Sequence, residues 1–240
     1  MKQPVVMSWS GGKDSAVALD ALMTAGQYDV VALLTSVSEE YRRISHHGVR
    51  EALLDQQAAS IGLPLEKVFL PSRPNQPCTN DVYERIMGEV MARYRAQGVE
   101  IVAFGDLFLE DLRAYRERQL AKADMRGLFP LWNRNTTELA ADVIARGFQA
   151  YLSCVEGHVG PGFVGRAFDT RLLAALPQGV DPCGEYGEFH TFVHDGPIFK
   201  RPVAVEVGEV VMRDGRYYAD LRLRGMGAPA PPVSAWIPPV

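Results

Sequence analysis

The sequence contains only three cysteines in 240 residues, and no two of them have C-x-x-C spacing. Three cysteines cannot all pair, so the sequence does not indicate a disulfide framework. We therefore expect Cys78, Cys154 and Cys183 to be reduced thiols, the usual state of cysteine in the cytoplasm.

Long hydrophobic runs are also absent. No apolar stretch approaches the roughly 20 residues that are needed to cross a bilayer. The first four residues lead directly into a short apolar segment, without the pattern of a secretion signal. We therefore expect a soluble, cytoplasmic protein with no membrane partner.

Neither sign of charge is in large excess. The chain carries 25 basic and 29 acidic residues, for a net charge of −4, which gives no overall attraction to nucleic acid. A hydrophobic content of 47% is typical of a globular protein, and 240 residues suffice for one large or two small domains. We expect no nucleic-acid partner, and the sequence leaves open whether the chain forms a homodimer.

The most informative segment follows the first apolar run and reads Ser10-Gly11-Gly12-Lys13-Asp14-Ser15. Adjacent glycines allow several backbone N–H groups to converge on one point. The start of the following helix adds unpaired N–H groups and a partial positive charge. Lys13 contributes a cation, Ser10 and Ser15 contribute hydroxyl groups, and Asp14 caps the helix or holds a metal ion. The segment, called the glycine loop below, predicts a polyphosphate site.

The glycine loop differs from other glycine-rich phosphate loops because Asp14 separates Lys13 from Ser15. Its pattern, S-G-G-x-D-S, instead resembles the PP-loop of the ATP pyrophosphatases. In that family the loop holds the β- and γ-phosphates of ATP, which is cleaved between the α- and β-phosphates. A plain strand-to-helix turn with solvated polar residues is the alternative.

Apolar runs alternate with helical patterns in the first half of the chain, which predicts an α/β fold with a parallel, Rossmann-like sheet. Ligands of such sheets bind outside the carboxyl ends of the strands. Thr35 and Ser36 end the second strand and are candidates for contacts with adenine or ribose. Gly105 and Asp106 follow the fourth strand, and Asp106 is a candidate ligand of Mg²⁺ or substrate. Each of these residues could instead cap a helix or occupy a turn.

The pattern changes near residue 127, after which short strands dominate. Asp214-Gly215 lies between two of these strands and predicts a hairpin turn. We predict an ATP-binding domain at 1–127, a smaller α+β domain at 128–227 and a proline-rich tail at 228–240.

A second informative segment reads Gly184-Glu185-Tyr186-Gly187-Glu188-Phe189-His190-Thr191. Its two Gly-Glu pairs predict a turn that presents carboxylates just before a strand. Glu185 and Glu188 could orient an amine, bind magnesium or act as a general base. His190 is equally consistent with a structural histidine. The adjacent Cys183 fits a buried thiol better than a nucleophile, because no basic partner is obvious.

Together, these segments resemble the diphthine–ammonia ligase family, a branch of the PP-loop ATP pyrophosphatases. His47-Gly48, Gly105-Asp106 and Pro130-Leu131-Trp132 agree with the pattern of that family, and the resemblance extends over residues 4–225. It implies an adenine nucleotide α-hydrolase fold with a five-stranded parallel sheet, followed by a smaller domain that completes the active site.

The resemblance also implies the reaction: ATP, with Mg²⁺, would adenylate a carboxylate and release pyrophosphate, and ammonia would then displace AMP to leave an amide. Lys13, Asp14, Glu185 and Glu188 would be catalytic, and Asp14 and Asp106 would be the Mg²⁺ candidates. The nucleotide would be bound by Ser10, Gly11, Gly12, Lys13, Asp14, Ser15, Thr35, Ser36, Gly105 and Asp106. Residues on the substrate side would be His47, Arg113, Arg116, Gly184, Gly187 and His190.

Residues 106–116 depart from the eukaryotic pattern of this family, which carries a Tyr-Gln-Arg signature, and match the variant found among bacterial relatives. Bacteria make no diphthamide, so the acceptor stays open between protein-borne diphthine and a small carboxylic acid. Arg113 and Arg116 lie three positions apart on one predicted helix face. They could bind phosphate or an anionic substrate, or form a solvated charged face.

Two other functions remain open. A tRNA-modifying enzyme of the same superfamily is disfavoured by the acidic charge balance and by the absence of C-x-x-C pairs. A non-catalytic sensor of ATP or AMP is disfavoured by Glu185 and Glu188, because a sensor has no evident need for an acceptor-side loop.

Overall fold

Five parallel strands form the first sheet, in the order β3-β2-β1-β4-β5. The computed structural model describes residues 1–44, 47–71 and 78–225. The elements of the first part are β1 (Gln3–Ser8), α1 (Lys13–Ala25), β2 (Tyr28–Ser38), α2 (Glu51–Ile61), β3 (Leu65–Leu70), α3 (Asn80–Ala96), β4 (Ile101–Ala103), α4 (Glu110–Ala121) and β5 (Arg126–Leu128).

Both faces of this sheet are covered by helices. Val5 and Met7 on β1 pack into a cluster with α1, α2 and the second part of the chain, whereas Val6 packs with α3 and α4 on the opposite face. Successive strand residues point to opposite faces, so a strand that is covered on both sides is apolar throughout. The predicted α/β fold with a five-stranded parallel sheet is confirmed.

The edge strand β5 has no recognisable signal in the sequence. It is only three residues long and pairs with β4 from Ile101↔Arg126 to Ala103↔Leu128. The preceding helix α4 ends at Ala121, and Asp124 adopts a left-handed conformation with φ of 54°. That conformation is incompatible with a continuing helix and turns the chain into β5.

The second sheet is antiparallel, with the strand order β7-β6-β9-β8. The predicted hairpin at Asp214-Gly215 is confirmed by the pairing of β8 with β9. The tail predicted at 228–240 lies outside the described residues, and none of the described helices is long and apolar enough to span a membrane. The elements of this part are α5 (Thr136–Ala145), β6 (Gln149–Glu156), α6 (Thr170–Ala175), β7 (Phe189–Asp195), β8 (Val205–Arg213) and β9 (Arg216–Leu223).

A buried ion cluster joins the segment after β2 to the second sheet. The carboxylate of Asp220, on β9, is fully buried and accepts hydrogen bonds from Arg43 Nη2 at 2.9 Å, Arg50 Nε and Nη2 at 2.8 Å, and Arg222 Nε at 2.6 Å. Arg43 Nη1 also donates to the carbonyl oxygen of Gly48 at 2.7 Å. The cluster therefore ties Arg43, Gly48 and Arg50 to the second sheet, beside the site described below.

Candidate active site

The glycine loop connects β1 to α1 at the carboxyl edge of the first sheet. Gly11 has a φ of 76°, which favours glycine, and Gly12 is the N-cap of α1 in an extended conformation. The hydroxyl of Ser10 accepts a hydrogen bond from the N–H of Gly12 at 3.2 Å, and the hydroxyl of Ser15 donates to the carbonyl oxygen of Gly12 at 2.9 Å. These local bonds hold the loop around the N-terminus of α1.

The side chain of Lys13 lies beneath the loop and is only 2% exposed. Its ammonium group contacts Asp14 Oδ2 at 2.9 Å and donates to the carbonyl oxygen of Cys183, between the rings of Phe168 and Phe189. Burial lowers the pKa of Lys13, but Asp14, Cys183 and Glu185 together outweigh this effect and raise that pKa overall. Lys13 is therefore charged and held toward the second part of the chain, outside the cavity described below.

The two carboxylate oxygens of Asp14 differ in their contacts. Its Oδ2 pairs with Lys13, whereas its Oδ1 is buried and has no hydrogen-bond partner among the described residues. Burial raises the pKa of Asp14, and the charge of Lys13 works in the opposite direction. A carboxylate oxygen without a donor at the N-terminus of a helix is available to a cation or to a ligand that carries one.

Gly105 and Asp106 approach the same helix from the end of β4. The position that a Cβ atom would occupy at Gly105 lies 2.7 Å from the backbone carbon of Asp14 and 2.8 Å from the backbone nitrogen of Ser15. Asp106 forms a bidentate ion pair with Arg116 on α4, with Nε–Oδ2 and Nη2–Oδ1 distances of 2.5 and 3.1 Å. The guanidinium group of Arg116 also stacks on Phe104 at 4.3 Å from the ring centroid. Both oxygens of Asp106 are therefore engaged.

The contact at Gly105 yields a first prediction. A Gly105→Ala variant should bind ATP at least about tenfold more weakly and lose roughly 1–3 kcal/mol of stability, because the new methyl group meets backbone atoms that cannot move aside. ATP titration and thermal unfolding measure the two effects. Gly162→Ala is the matched control, because a Cβ at Gly162 has no neighbour within 4 Å. Wild-type ATP affinity in Gly105→Ala would contradict the prediction.

A cavity of about 590 Å³ opens at this edge of the sheet. Thr35 and Ser36 line it from the end of β2, and the hydroxyl of Thr35 is buried with no partner among the described residues. The sequence-predicted residues whose atoms line the cavity are Ser10, Asp14, Ser15, Thr35, Ser36, His47, Gly105, Asp106, Arg116, Glu185 and His190. The parallel sheet thus brings the ends of β1, β2 and β4 together, as expected for strands of this topology.

Glu185 reaches this cavity from the second part of the chain. Its Oε1 accepts a hydrogen bond from the backbone N–H of Leu107 at 2.9 Å, which places it beside the end of β4. Burial raises the pKa of Glu185 to about 7, and the charges of Asp14 and Asp106 act in the same direction. Near neutral pH this carboxyl group can therefore both accept and donate a proton.

Glu188 lies outside the cavity lining and is 5% exposed. Its Oε1 accepts a hydrogen bond from the N–H of Asp181 at 2.9 Å, which closes the loop that carries Glu185. Gly184 and Gly187 have φ values of 69° and 86° in this loop, and a Cβ at Gly184 would lie 2.8 Å from the carbonyl oxygen of Phe189. The two glycines and Glu188 therefore shape the turn that presents Glu185.

Strand β7 packs directly on the glycine loop. The hydroxyl of Thr191 accepts a hydrogen bond from the N–H of Lys13 at 3.0 Å, and the N–H of Val193 donates to the carbonyl oxygen of Gly11 at 2.9 Å. Gln57 on α2 donates to the same Gly11 oxygen at 3.0 Å. No local pattern marks Gln57 or Thr191, because their partners lie far away in the sequence.

The two predicted histidines meet across this junction. The rings of His47 and His190 lie 4.5 Å apart between centroids, and both line the cavity. His47 Nδ1 lies 3.2 Å from the carbonyl oxygen of Thr191, to which it donates when Nδ1 carries the proton. The histidines border the same space as the glycine loop and Glu185.

Arg113 and Cys183 do not line the cavity. Arg113 stacks on Phe129 and Trp132 at 4.8 and 4.7 Å and pairs with Glu117 at 2.8 Å. The thiol of Cys183 is buried and donates to the carbonyl oxygen of Thr136 at 3.3 Å, and burial raises its pKa to about 12. A thiol of this kind is a poor nucleophile.

The sequence matches two family models along most of its length. The diphthamide synthase N-terminal domain matches residues 1–126, and the diphthamide synthase C-terminal domain matches residues 135–222. The chain is also similar to the diphthine–ammonia ligase of Rattus norvegicus, with 27% identity over 247 residues that cover 90% of this chain and 89% of the rat protein.

Two further relatives have the same printed name. The diphthine–ammonia ligase of Homo sapiens is 27% identical over 236 residues, and that of Bos taurus is 28% identical over 236 residues. In both cases the match covers 88% of this chain and 85% of the relative. The chain belongs to the diphthamide synthase family.

Proposed function

We propose that the chain is an ATP-dependent ligase that forms an amide from a carboxylic acid and ammonia, with release of AMP and pyrophosphate. The observation that carries this proposal is that Glu185, from the second part of the chain, lines the same cavity as Ser10 and Asp14 of the glycine loop. A nucleotide-binding edge and a proton-accepting group therefore share one space. The relatives named diphthine–ammonia ligase support the extension of this type of reaction to the chain.

The cavity suits ATP in size and in the groups that it presents. Its volume of about 590 Å³ falls within the usual range for small-molecule sites. The N-terminus of α1 would face the phosphates with its N–H groups and partial positive charge. Thr35 and Ser36 would contact adenine or ribose, and the buried Thr35 hydroxyl supports such a contact.

Magnesium fits one of its two predicted ligands better than the other. Asp14 Oδ1 has no hydrogen-bond partner among the described residues, which suits a cation bound together with ATP, whereas Asp106 already pairs with Arg116 through both oxygens. Within the described ranges no three acidic, histidine or cysteine residues cluster as a metal site. Asp14 would therefore hold Mg²⁺ together with phosphate and water oxygens, a common arrangement for this ion, and Mg²⁺ would supply charge neutralisation.

The proposed reaction has two steps. A carboxylate is a poor electrophile, so its oxygen first attacks the α-phosphorus of ATP, and the bond to the bridging oxygen breaks as pyrophosphate leaves. The ammonia nitrogen then attacks the acyl carbon of the adenylate, and AMP departs with the bonding electron pair. We assign the nitrogen's excess proton to the carboxylate of Glu185.

Lys13 and Glu188 have supporting roles in this proposal. The ammonium group of Lys13 holds Asp14 in place and adds positive charge beneath the loop. A direct contact of Lys13 with pyrophosphate would require it to leave Asp14 and the Cys183 carbonyl. Glu188 acts by fixing the turn that presents Glu185.

The acceptor is either a small carboxylic acid or protein-borne diphthine, and we propose the cytoplasm as the place of the reaction. The free thiols of Cys78, Cys154 and Cys183 support a reducing compartment. The identity of the acceptor has no bearing on nucleotide binding, because the glycine loop and the end of β2 contact the nucleotide alone in this proposal.

The proposed role of Glu185 predicts a specific pH dependence. Only its ionised form accepts a proton, so amide formation at a constant concentration of free ammonia should rise with pH and level off above about 7. Glu185→Gln should lose this inflection and about 100-fold of the rate at pH 8, with ATP affinity retained. Glu117→Gln, at an exposed position on α4, is the control. An unchanged inflection in Glu185→Gln would contradict the assignment.

The function itself is tested with ATP, Mg²⁺, ammonium and a pool of carboxylic acids. Mass spectrometry should detect one new primary amide, formed in step with pyrophosphate, and removal of the corresponding acid from the pool should abolish both. The same mixture is then assayed with an extract that supplies protein-borne acceptors. Tight ATP binding without amide formation in either mixture would favour a nucleotide sensor over a ligase.

A further inference from the structure

A second cavity of about 460 Å³ lies between α3 and α4, next to the first. Its floor is formed by apolar side chains of the sheet and the two helices, among them Met91, Val102, Phe104 and Leu120. This space is called the α3–α4 groove below. It falls within the usual volume range of small-molecule sites, and the nucleotide contacts proposed above do not use its floor.

The α3–α4 groove adjoins the nucleotide cavity. Tyr83, Met87, Phe104, Tyr115 and Arg116 line both spaces. An acceptor whose carboxylate must reach the α-phosphorus of ATP has to approach from a space that adjoins the nucleotide. The groove provides such an approach, and its walls would accommodate an apolar body.

Arg116 lies where the groove meets the nucleotide cavity, and part of its guanidinium group has no hydrogen-bond partner among the described residues. Asp106 occupies its Nε and one N–H of Nη2, and the described residues provide no partner for Nη1. A guanidinium group has five N–H donors, so the outer edge formed by Nη1 and Nη2 can still bind a carboxylate in a bidentate manner. Asp106 and the ring of Phe104 hold the group in place. The junction therefore combines a fixed cation with an apolar floor.

Gly88 lies at the centre of the α3 face that borders the groove, where Asp81, Glu84, Arg85, Met91 and Ala92 also line it. A glycine inside a helix costs about 1 kcal/mol relative to alanine. Neither its backbone conformation nor its neighbours require glycine, because φ is not left-handed and a Cβ atom would meet nothing within 4 Å. Gly88 is therefore a position at which a larger side chain would extend into the groove.

We infer that the α3–α4 groove binds the apolar body of a small carboxylic acid acceptor, with its carboxylate on the outer edge of Arg116. This inference rests on the proposed function and specifies its substrate class. At the outer rim, Lys122 pairs with Glu84 at 3.2 Å and Arg85 pairs with Glu89 at 2.9 Å, and Asp81 adds a carboxylate to the lining. The Asp106 carboxylate balances the charge of Arg116, so Arg116 would select an acid over a neutral analogue through the N–H groups of its outer edge.

Binding of dansylglycine, a fluorescent aromatic carboxylic acid, tests the inference without any turnover. Dansylamide has the same aromatic body and no carboxylate. We expect the wild-type protein to bind dansylglycine at least about tenfold more tightly than dansylamide, because a charge-assisted bidentate pair is lost with the amide. Arg116→Gln should reduce the affinity for dansylglycine to that for dansylamide. The affinity for dansylamide should stay as in the wild type.

The groove itself is tested by Gly88→Leu, with Gly88→Ala as the matched control. Leucine should weaken dansylglycine binding at least about tenfold, whereas alanine should leave it within about twofold, because only leucine fills the groove. Both variants should keep wild-type ATP affinity. The inference is wrong if neither probe binds, if the two probes bind equally, or if Gly88→Leu has no effect. A loss of ATP affinity in Gly88→Leu would also overturn it, because the groove would then belong to the nucleotide.

These outcomes are separable from failure of the proposed function. If ATP is cleaved to ADP while dansylglycine binds as expected, the ligase reaction is wrong and the carboxylate site stands. If AMP, pyrophosphate and an amide form while the probe does not bind, the ligase reaction stands and the assignment of the groove is wrong.

Discussion

Replacement of Asp14 by asparagine is expected to reduce ATP cleavage by about 100-fold or more, an effect typical of losing a preorganised charged group at a reacting phosphate. The substitution preserves the shape of the side chain but removes the charge of Oδ1, which has no partner among the described residues. In the proposal this oxygen holds Mg²⁺ beside the phosphates of ATP. Pyrophosphate release measures the loss.

Titration with ATP in Mg²⁺ and in EDTA separates the proposed role from a general loss of structure. The wild-type protein should bind ATP more tightly with Mg²⁺, and Asp14→Asn should lose most of that difference. Asp29→Asn, at an exposed position at the start of β2, is the matched control. A variant at position 14 that keeps both its turnover and its Mg²⁺ dependence would remove Asp14 from the mechanism.

Asp220→Asn is expected to produce the largest loss of stability, about 3–5 kcal/mol, which is the usual cost of breaking a buried ion pair. Three arginines donate hydrogen bonds to Asp220, so the neutral amide would leave buried cations without compensation. For a chain of this size the midpoint of thermal unfolding should fall by roughly 10 °C. Differential scanning calorimetry measures this shift.

The pKa of Asp220 predicts how the stability difference between wild type and Asp220→Asn varies with pH. Burial alone would raise the pKa of Asp220, but the hydrogen bonds from Arg50, Arg43 and Arg222 outweigh it and hold that pKa well below its usual range. The stabilisation is therefore fully present above the unfolded-state pKa of about 4 and is lost as the pH falls below it. The difference in the free energy of unfolding between wild type and Asp220→Asn should be larger at pH 6 than at pH 3.

Asp124→Asn is the matched control for this experiment, because Asp124 pairs with Arg95 at the surface with its side chain 86% exposed. Surface ion pairs contribute at most about 1 kcal/mol, so this variant should unfold close to the wild-type temperature. Equal effects of the two substitutions would show that burial of the Asp220 cluster is not the source of its stabilisation.

Local sequence patterns were sufficient to predict that the ends of three strands border one cavity. A glycine loop after the first strand, Thr35 after the second and Asp106 after the fourth come together because parallel strands end at one edge of a sheet. The periodicity of apolar residues identifies those strands without any information on tertiary contacts. The family and the α/β fold, both predicted from the sequence, are confirmed by the family models and by the sheet topology.

Directions of side chains and contacts between distant segments were not predictable in the same way. Lys13 turns away from the cavity because Asp14 and the carbonyl oxygen of Cys183 bind its ammonium group, and Cys183 lies 170 positions away in the sequence. Arg113 and Arg116 share a helix, yet one stacks on aromatic rings while the other pairs with Asp106. Helical spacing specifies a face and leaves the partner on that face undetermined.

The short strand β5 and the groove beside α3 illustrate two further limits of sequence reasoning. A strand of three residues is too short to show periodicity, and β5 is extended because its backbone pairs with β4. In the sequence, Gly88 is only a residue that destabilises a helix relative to alanine. Its position on the wall of a cavity is visible only in three dimensions.

We propose that this chain cleaves ATP between the α- and β-phosphates, and phosphorus NMR of the products tests this proposal. The chain would be incubated with ATP, Mg²⁺, ammonium and the pool of carboxylic acids, and a sample without the acids would serve as the control. We expect AMP and pyrophosphate in equal amounts, formed only when an acceptor acid is present. ADP and inorganic phosphate as the products would contradict it.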